Sequence, residues 1–339
     1  MNTIKAAALV LLGTSLALPA QAQAQAQASN IKMCIFDIAG RSGPAFAQAR
    51  DYAVAAKGWG ANIELEAYVD ERLAAEDFKT GKCDAAAIST LRGRQFNKFV
   101  GSIDSIGAVP TYKHLRTVID LMSSPKLNDK MTSGLFEVAG ILPIGAAYVM
   151  VNDRAINSVE KAAGKKIAVL DYDKSQAKMV QQLGAQPVAS EVINFGTKFN
   201  NGQVDIIAAP AIAYQPLELY KGIGSKGGIY RFPLVQLTAN ILIRKDKFPE
   251  GFGQKSRVWI QQQFERAIAL VDTSEKAVPA AAWLDIPAGD REKYDVLMRE
   301  SRIQMTADGF YDPEMMKILK RIRCRLDASL GECADKREL

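Results

Sequence analysis

Residues 164–210 read GKKIAVLDYDKSQAKMVQQLGAQPVASEVINFGTKFNNGQVDIIAAP, and the fold is decided by how this stretch is parsed. Its opening, Gly164 to Leu170, is a short apolar run of the kind that forms a buried parallel strand. Asp173 stands as the cap of a helix over Lys174–Leu183, in which Ala177, Met179, Val180 and Leu183 recur at helical spacing, and Gly184 closes it. A strand over Gln186–Val188, a helix over Val192–Phe199, the stop Asn200-Asn201-Gly202 and a strand over Val204–Ala209 follow. The order β-α-β-α-β, with connections of this length, is that of right-handed parallel crossovers.

The same alternation appears upstream. A strand over Ile31–Ile38 runs into the turn Ala39–Pro44, where Ser42 is placed to cap a helix over Pro44–Lys57. A strand over Ile63–Tyr68 follows, then a short helix capped by Asp70 and ended by Gly81, a strand over Cys83–Ser89 and a polar loop over Thr90–Gln95. This is a second parallel sheet, and ligands of such sheets bind at the C-terminal strand ends. Helices are expected over Tyr112–Met122 and Pro125–Met131. A strand over Ala146–Val151 crosses to the second unit and one over Leu237–Ile243 returns, giving two hinge strands. Phe252–Val271 reads as one long helix with Val258, Phe264, Ile268 and Val271 inward; Pro287–Arg302 and Pro313–Leu326 read as C-terminal helices.

Met1–Ala28 is set apart from the fold. Lys5 precedes an apolar run over Ala6–Ala17, too short for a permanent span, and Pro19-Ala20-Gln21-Ala22 offers an Ala-x-Ala cleavage site. These features predict a cleaved signal peptide and a periplasmic product. The remaining chain is long enough for two α/β lobes: 29–147 as lobe 1, 148–240 as lobe 2, and 241–339 carrying the return strand, the long helix and the C-terminal helices. The net formal charge of +6 is dispersed. The richest basic run, Lys317–Arg325, lies at helical spacing with apolar residues and reads as a solvated face, so no nucleic-acid partner is expected. Four cysteines in an exported chain predict two disulfides. Of the three possible connectivities, Cys324–Cys333 with Cys34–Cys83 is the expected one; a metal site would have no CxxC and a single His, His114, to draw on.

Three segments resemble the extracytoplasmic solute-binding proteins of TRAP transporters. They are Ala163-Gly164-Lys165-Lys166-Ile167-Ala168-Val169, Leu183-Gly184-Ala185-Gln186-Pro187-Val188 and Gly202-Gln203-Val204-Asp205 through Pro210. Asn152–Ser158 and, in the first unit, Gly81-Lys82-Cys83-Asp84-Ala85-Ala86-Ala87-Ile88-Ser89-Thr90 extend the likeness. The resemblance implies a periplasmic-binding-protein-like fold, with two α/β lobes joined by hinge strands, and a long helix bracing both. It also implies an Arg at position 168 that anchors a substrate carboxylate, an Asn at 209 and a second Arg near 148. This chain has Ala168, Ala209 and Tyr148 there. A second resemblance, carried by Arg92–Phe99 and Gly101–Asp104, is to exported proteins that some genomes label as efflux components in aminoglycoside resistance. A pump of that class needs about a dozen membrane helices, and no apolar run after residue 30 is long enough for one.

Catalytic constellations are scarce. There is one His, no Gly-x-Ser-x-Gly elbow, and the Gly-rich run Gly222–Gly228 follows a helix over Leu217–Lys221 and precedes a strand, the reverse of a phosphate loop. No enzyme activity and no cofactor are expected. The strand-end loops instead offer Asp37, Arg41, Tyr68, Asp70, Ser89, Thr90, Arg92, Arg94, Tyr148, Asp171, Tyr172 and Tyr214 to a cleft between lobes. For each of them a capping, turn or solvated role competes with ligand contact. Arg92 and Arg94 suit an anion; Asp37, Asp70 and Asp171 suit a cation. The function expected is capture of a small molecule by a monomeric periplasmic protein and its delivery to membrane transporter subunits. A sensor or adaptor of the same fold, or an accessory role in drug resistance, is the alternative.

Overall fold

Met33, Cys34 and Ile35 are all fully buried in the first strand, β1 (Asn30–Phe36), so this strand must be covered on both faces. It is. The helix Pro44–Lys57 packs Phe46, Ala49 and Tyr52 against Ile31, Met33 and Ile35. The helix Glu71–Thr80 packs Ala74, Ala75 and Phe78 on the side of Cys34. These are faces of one computed structural model, which describes residues 30–287 and 289–338; the signal peptide read over 1–28 lies outside the described residues.

β1 pairs in parallel with β2 (Asn62–Tyr68) and β3 (Ala85–Ser89), as the alternation of apolar runs and helices predicts. Cys34 and Cys83 are bridged, with Cα atoms 6.0 Å apart, and Cys324 and Cys333 form the second disulfide. After the two-residue β4 (Thr132–Ser133) the chain enters β5 (Phe136–Val151). The second parallel group is β6 (Lys166–Leu170), β7 (Gln186–Ser190) and β8 (Ile206–Pro210). β9 (Gly228–Arg244) then returns, and the short β10 (Trp283–Leu284) pairs with it. The strand order is β2-β1-β3-β9-β5-β8-β6-β7.

The two crossing strands are much longer than the sequence suggests, 16 and 17 residues in place of Ala146–Val151 and Leu237–Ile243. Pro143, Gly145 and Pro233 interrupt the apolar pattern, and the register shifts between Pro143 and Gly145 and around Tyr148. Gly145 takes φ +125° at such a shift, a conformation open to glycine and strained for other residues. β5 and β9 alone connect the two parallel groups within the sheet; positions 147 and 240 fall inside them.

Other departures have local causes. Gly43, not Ser42, is the N-cap of the helix Pro44–Lys57 and has no side chain to offer. The Asp37 carboxylate accepts from the Ala45 and Phe46 N–H groups instead, at 2.8 and 3.1 Å, and a Cβ on Gly43 would lie 1.9 Å from Asp37 Oδ1. Thr90–Gly93 is a helical turn capped by Ser89 rather than a loop. The long helix is two helices, Phe252–Gln262 and Phe264–Ala277. The Gln263 N–H bonds back to Ile260, while its side-chain amide donates to the Trp259 carbonyl that a continuous helix would use. The buried stripe runs on through the break, from Ser256 and Ile260 to Phe264, Ala267 and Val271, and Val258 lies off it and is exposed.

The run Lys317–Arg325 is a solvated face only in part: Lys317, Arg321 and Arg325 are exposed. Lys320 and Arg323 are buried, and so is Arg302 on the helix Asp290–Ala307. Arg323 donates to Glu332, Glu338 and the Ala108 carbonyl; Arg302 donates to the same two carboxylates and to the Ile106 carbonyl. The tail that the Cys324–Cys333 bridge folds back supplies these anions, which periodicity alone does not reveal.

Removing Cys34–Cys83, which spans 49 residues, is expected to cost about 4 kcal/mol by loop-closure entropy. Removing Cys324–Cys333, which spans nine, is expected to cost about 2.5 kcal/mol on the same basis. Urea unfolding midpoints of the two double-Ser variants, compared with the parent, test this order.

Candidate functional site: the cleft between the lobes

The C-terminal ends of β1 and β3 face those of β6 and β8 across a cavity of about 550 Å³. Ile38 and Leu91 line it from lobe 1, Leu170 and Ile212 from lobe 2, and Ile144 and Leu237 from the crossing strands. Ile38 also packs against the lobe 2 core, and Met179 of lobe 2 against the lobe 1 core, so the lobes are in contact.

Arg92 stands at the centre of that contact. Its side chain is only 5 % exposed. Nε donates to Glu71 Oε2 at 3.1 Å within lobe 1, and Nη2 pairs with Glu191 of lobe 2. The guanidinium lies 3.7 Å from the centroid of the Tyr172 ring, also of lobe 2. Glu71 is held in turn by the Ser89 N–H at 2.6 Å and by the Tyr172 hydroxyl at 3.4 Å. Burial and the adjacent Glu71 carboxylate push the Tyr172 hydroxyl well above its ordinary range. Glu191 is also pushed up, by burial and by the neighbouring Asp171, against the pull of Arg92.

Arg94 makes a second crossing. Nη1 donates to Asp173 of lobe 2 at 3.2 Å and Nε to the Gly101 carbonyl at 2.9 Å, with the guanidinium 5.2 Å from the Tyr311 ring. Asp173 is the helix cap the sequence predicts, accepting from the Ser175 N–H, and its carboxylate therefore serves the helix and the lobe contact together. Lys178 pairs with Asp308, tying lobe 2 to the C-terminal helices.

A buried polar set lies beneath, on the hinge strand. Asp104 accepts from the Thr238 N–H at 2.8 Å and its hydroxyl at 2.7 Å; the Thr238 oxygen also lies 2.7 Å from the Thr90 hydroxyl, which donates to Asn240 Oδ1 at 2.7 Å. Burial pushes the Asp104 carboxyl up to about 7, against the Thr238 hydrogen bonds.

The remaining predicted residues are dispersed. Asp37 lines the cavity, but its oxygens accept from the backbone of 39, 45 and 46. Arg41 is exposed beside Phe46. Tyr68 donates to Asp77 at 2.7 Å, and Asp70 caps its helix. Tyr148 donates to Glu275 at 2.9 Å, sharing that oxygen with Tyr112, and meets Trp283 edge-on. Asp171 is exposed beside Glu191, and Tyr214 is buried in the lobe 2 core. The structure thus gathers Ser89, Thr90, Arg92, Arg94 and Tyr172 and leaves the others apart. Glu71, Glu191, Asp104 and Asn240 were not legible as partners. Glu71 looks like an ordinary first-turn acid, and Glu191 like a helix-start residue whose N–H bonds Asn194.

The sequence model of the family described as solute-binding protein AdeT 1/2 matches residues 53–338. The chain belongs to this family. Among its AdeT relatives, the probable solute-binding protein AdeT1 of Acinetobacter baumannii is 53% identical over 300 residues, 88% of this chain and 99% of the relative. AdeT2 of the same organism is 29% identical over 234 residues, 69% of this chain and 98% of the relative. Among solved structures, this AdeT-family chain resembles a TRAP periplasmic solute-binding protein from Desulfovibrio salexigens with bound orotic acid (TM-score 0.72, 15% identity, 88% of this chain and 99% of that one). It also resembles one from Sulfitobacter sp. with bound β-D-galacturonate (TM-score 0.71, 13% identity, 87% and 99%). The two-lobe fold implied by the sequence resemblance is therefore present, and the AdeT family is one of solute-binding proteins rather than enzymes. Ala168, where the TRAP pattern has an anchoring Arg, packs half-buried beside Phe195 and Ala209.

Arg92→Leu leaves Glu71 and Glu191 without their cation and is expected to cost about 3 kcal/mol or more in urea unfolding; Glu191→Gln, at the wetter end of the pair, is expected to cost about 1 kcal/mol. For Asp104, the folded state holds a proton up to about pH 7 that the unfolded chain releases near pH 4. The folded state therefore binds the extra proton in that window, and this group's contribution to stability falls as pH rises through it. Asp104→Asn is expected to remove this slope, visible as a difference in Tm between parent and variant that changes from pH 4 to 7 and levels off above about pH 8.

Proposed function

We propose that this protein captures a small molecule between its lobes in the periplasm and presents the closed form, as a monomer, to membrane transporter subunits. The observation that carries the reading is the cavity of about 550 Å³ bounded by both lobes and by the two crossing strands, within the size range of small-ligand sites. In this reading lobe 1 is 29–147 with the returning strand, lobe 2 is 148–240, and closure bends β5 and β9 at the register shifts beside Gly145. The TRAP proteins of like fold hold orotic acid and β-D-galacturonate, and the AdeT relatives carry the solute-binding description over nearly their whole length.

Arg92–Glu191 and Arg94–Asp173 favour the closed arrangement from the protein's own side. A ligand shifts the balance further only by the contacts it gains on closure. Weakening the clasp should then make closure depend more on ligand.

Small-angle scattering of Glu191→Gln is expected to give a larger radius of gyration than the parent. A thermal-shift panel of organic acids, amino acids, polyamines, aminoglycosides and uncharged aromatics supplies the ligands. A compound at 100 times its Kd stabilises the folded state by ~2.7 kcal/mol, a shift of a few degrees. The expected result is that at least one compound raises Tm and returns the variant to the parent's radius. A panel with no response, or a radius unmoved by a compound that binds, would overturn capture by closure.

A further inference from the structure

Six charged residues line the cavity: Asp37, Asp51, Glu71, Asp104, Asp173 and Arg266. Each is already partnered within the protein. Asp37 takes three backbone N–H groups, and Asp104 takes Thr238. Glu71 and Asp173 hold the clasp arginines. Asp51 and Arg266 pair with each other at 2.6 Å. Among the described residues, the lining contains no lysine and no second arginine.

An anion would therefore lose its hydration without gaining a counter-charge, or would have to take Arg266 from Asp51, while a cation would meet Asp37 and Asp104 only as carboxylates whose oxygens already accept from N–H or O–H donors. The anchoring position on β6 is Ala168, itself part of the lining. Most of the remaining surface comes from side chains such as Leu91, Ile144, Val149, Ile212, Leu237 and Leu270, which gain by meeting an apolar body. Asn240 offers no polar contact to a ligand: it is fully buried, its Oδ1 is taken by Thr90, and its Nδ2 is packed against Gly93.

We infer that the ligand of this cleft is an uncharged, mainly apolar small molecule rather than a carboxylate or a polyamine. The inference rests on the capture reading above and narrows it. It assigns affinity to apolar burial along the crossing strands.

The test uses Nile red, an uncharged, apolar dye with one carbonyl acceptor, titrated into the purified protein and followed by its emission. Galacturonate, orotate, spermidine and kanamycin are tested as competitors and in thermal shift. Ala39→Trp and Ala208→Trp fill the cavity from two exposed lining positions on opposite lobes. The expected result is saturable one-to-one binding with a blue-shifted emission, weakened by about tenfold or more in either Trp variant at unchanged Tm, and untouched by the four charged compounds. Binding unaltered in both Trp variants would place the dye outside the cleft and overturn the inference. A charged compound that raises Tm and displaces the dye would overturn the ligand class while leaving capture standing. No binding by the dye or by any charged compound would overturn both.

Discussion

A single guanidinium shared between two lobes sets the terms for the rest of this structure. Arg92 is buried, and a buried charge is tolerated only when its desolvation is offset by good geometry on every side. Glu71 supplies one side from its own lobe, and Glu191 and the Tyr172 ring supply the other from across the cleft. The cation is thus fully matched only when the lobes meet. Separation would return Arg92 and Glu191 to water, where each is well solvated. The ion pair therefore contributes more to defining the closed geometry than to net stability. The crossing strands need to supply only a compliant link.

The C-terminal region makes that link directional. Arg302 and Arg323 donate directly to the Ile106 and Ala108 carbonyls of lobe 1 and are neutralised by the tail carboxylates Glu332 and Glu338. Lys320 caps the tail carbonyls of 335 and 337. On the other side, Lys178–Asp308 and the contact of Tyr294 with Phe232 reach lobe 2. The bonds to lobe 1 are buried and multiple, whereas the tie through Lys178 is a partly exposed ion pair, which is weak. Relative motion of the lobes is accordingly expected to carry the C-terminal helices with lobe 1.

Likeness of fold to proteins solved with bound acids does not carry their ligands with it. The TRAP-like frame of β6, β7 and β8 persists at 12–16% identity because it rests on apolar periodicity and turn residues. The anchor does not persist, since a ligand contact depends on one side chain at one position. With Ala168 in place, Arg92 and Arg94 belong to the lobe contact, Arg266 is paired with Asp51, and most of the cleft wall is left to aliphatic side chains.

The sequence by itself determined the local units. The helices Pro44–Lys57, Tyr112–Met122 and Pro313–Leu326 begin and end where their caps and periodicity place them, and the two parallel strand groups follow from apolar runs separated by helices. Both disulfides join the expected partners. Tertiary structure alone decided how the charges are used. Arg92, Arg94, Lys320 and Arg323 look alike in sequence, yet two clasp the lobes and two lie buried under a folded-back tail, because their partners are between 9 and 99 residues away. Helical and strand periods are local properties that a short window contains. The neutralisation of a buried charge is a property of whatever the fold brings within 3 Å, and no window of sequence contains it.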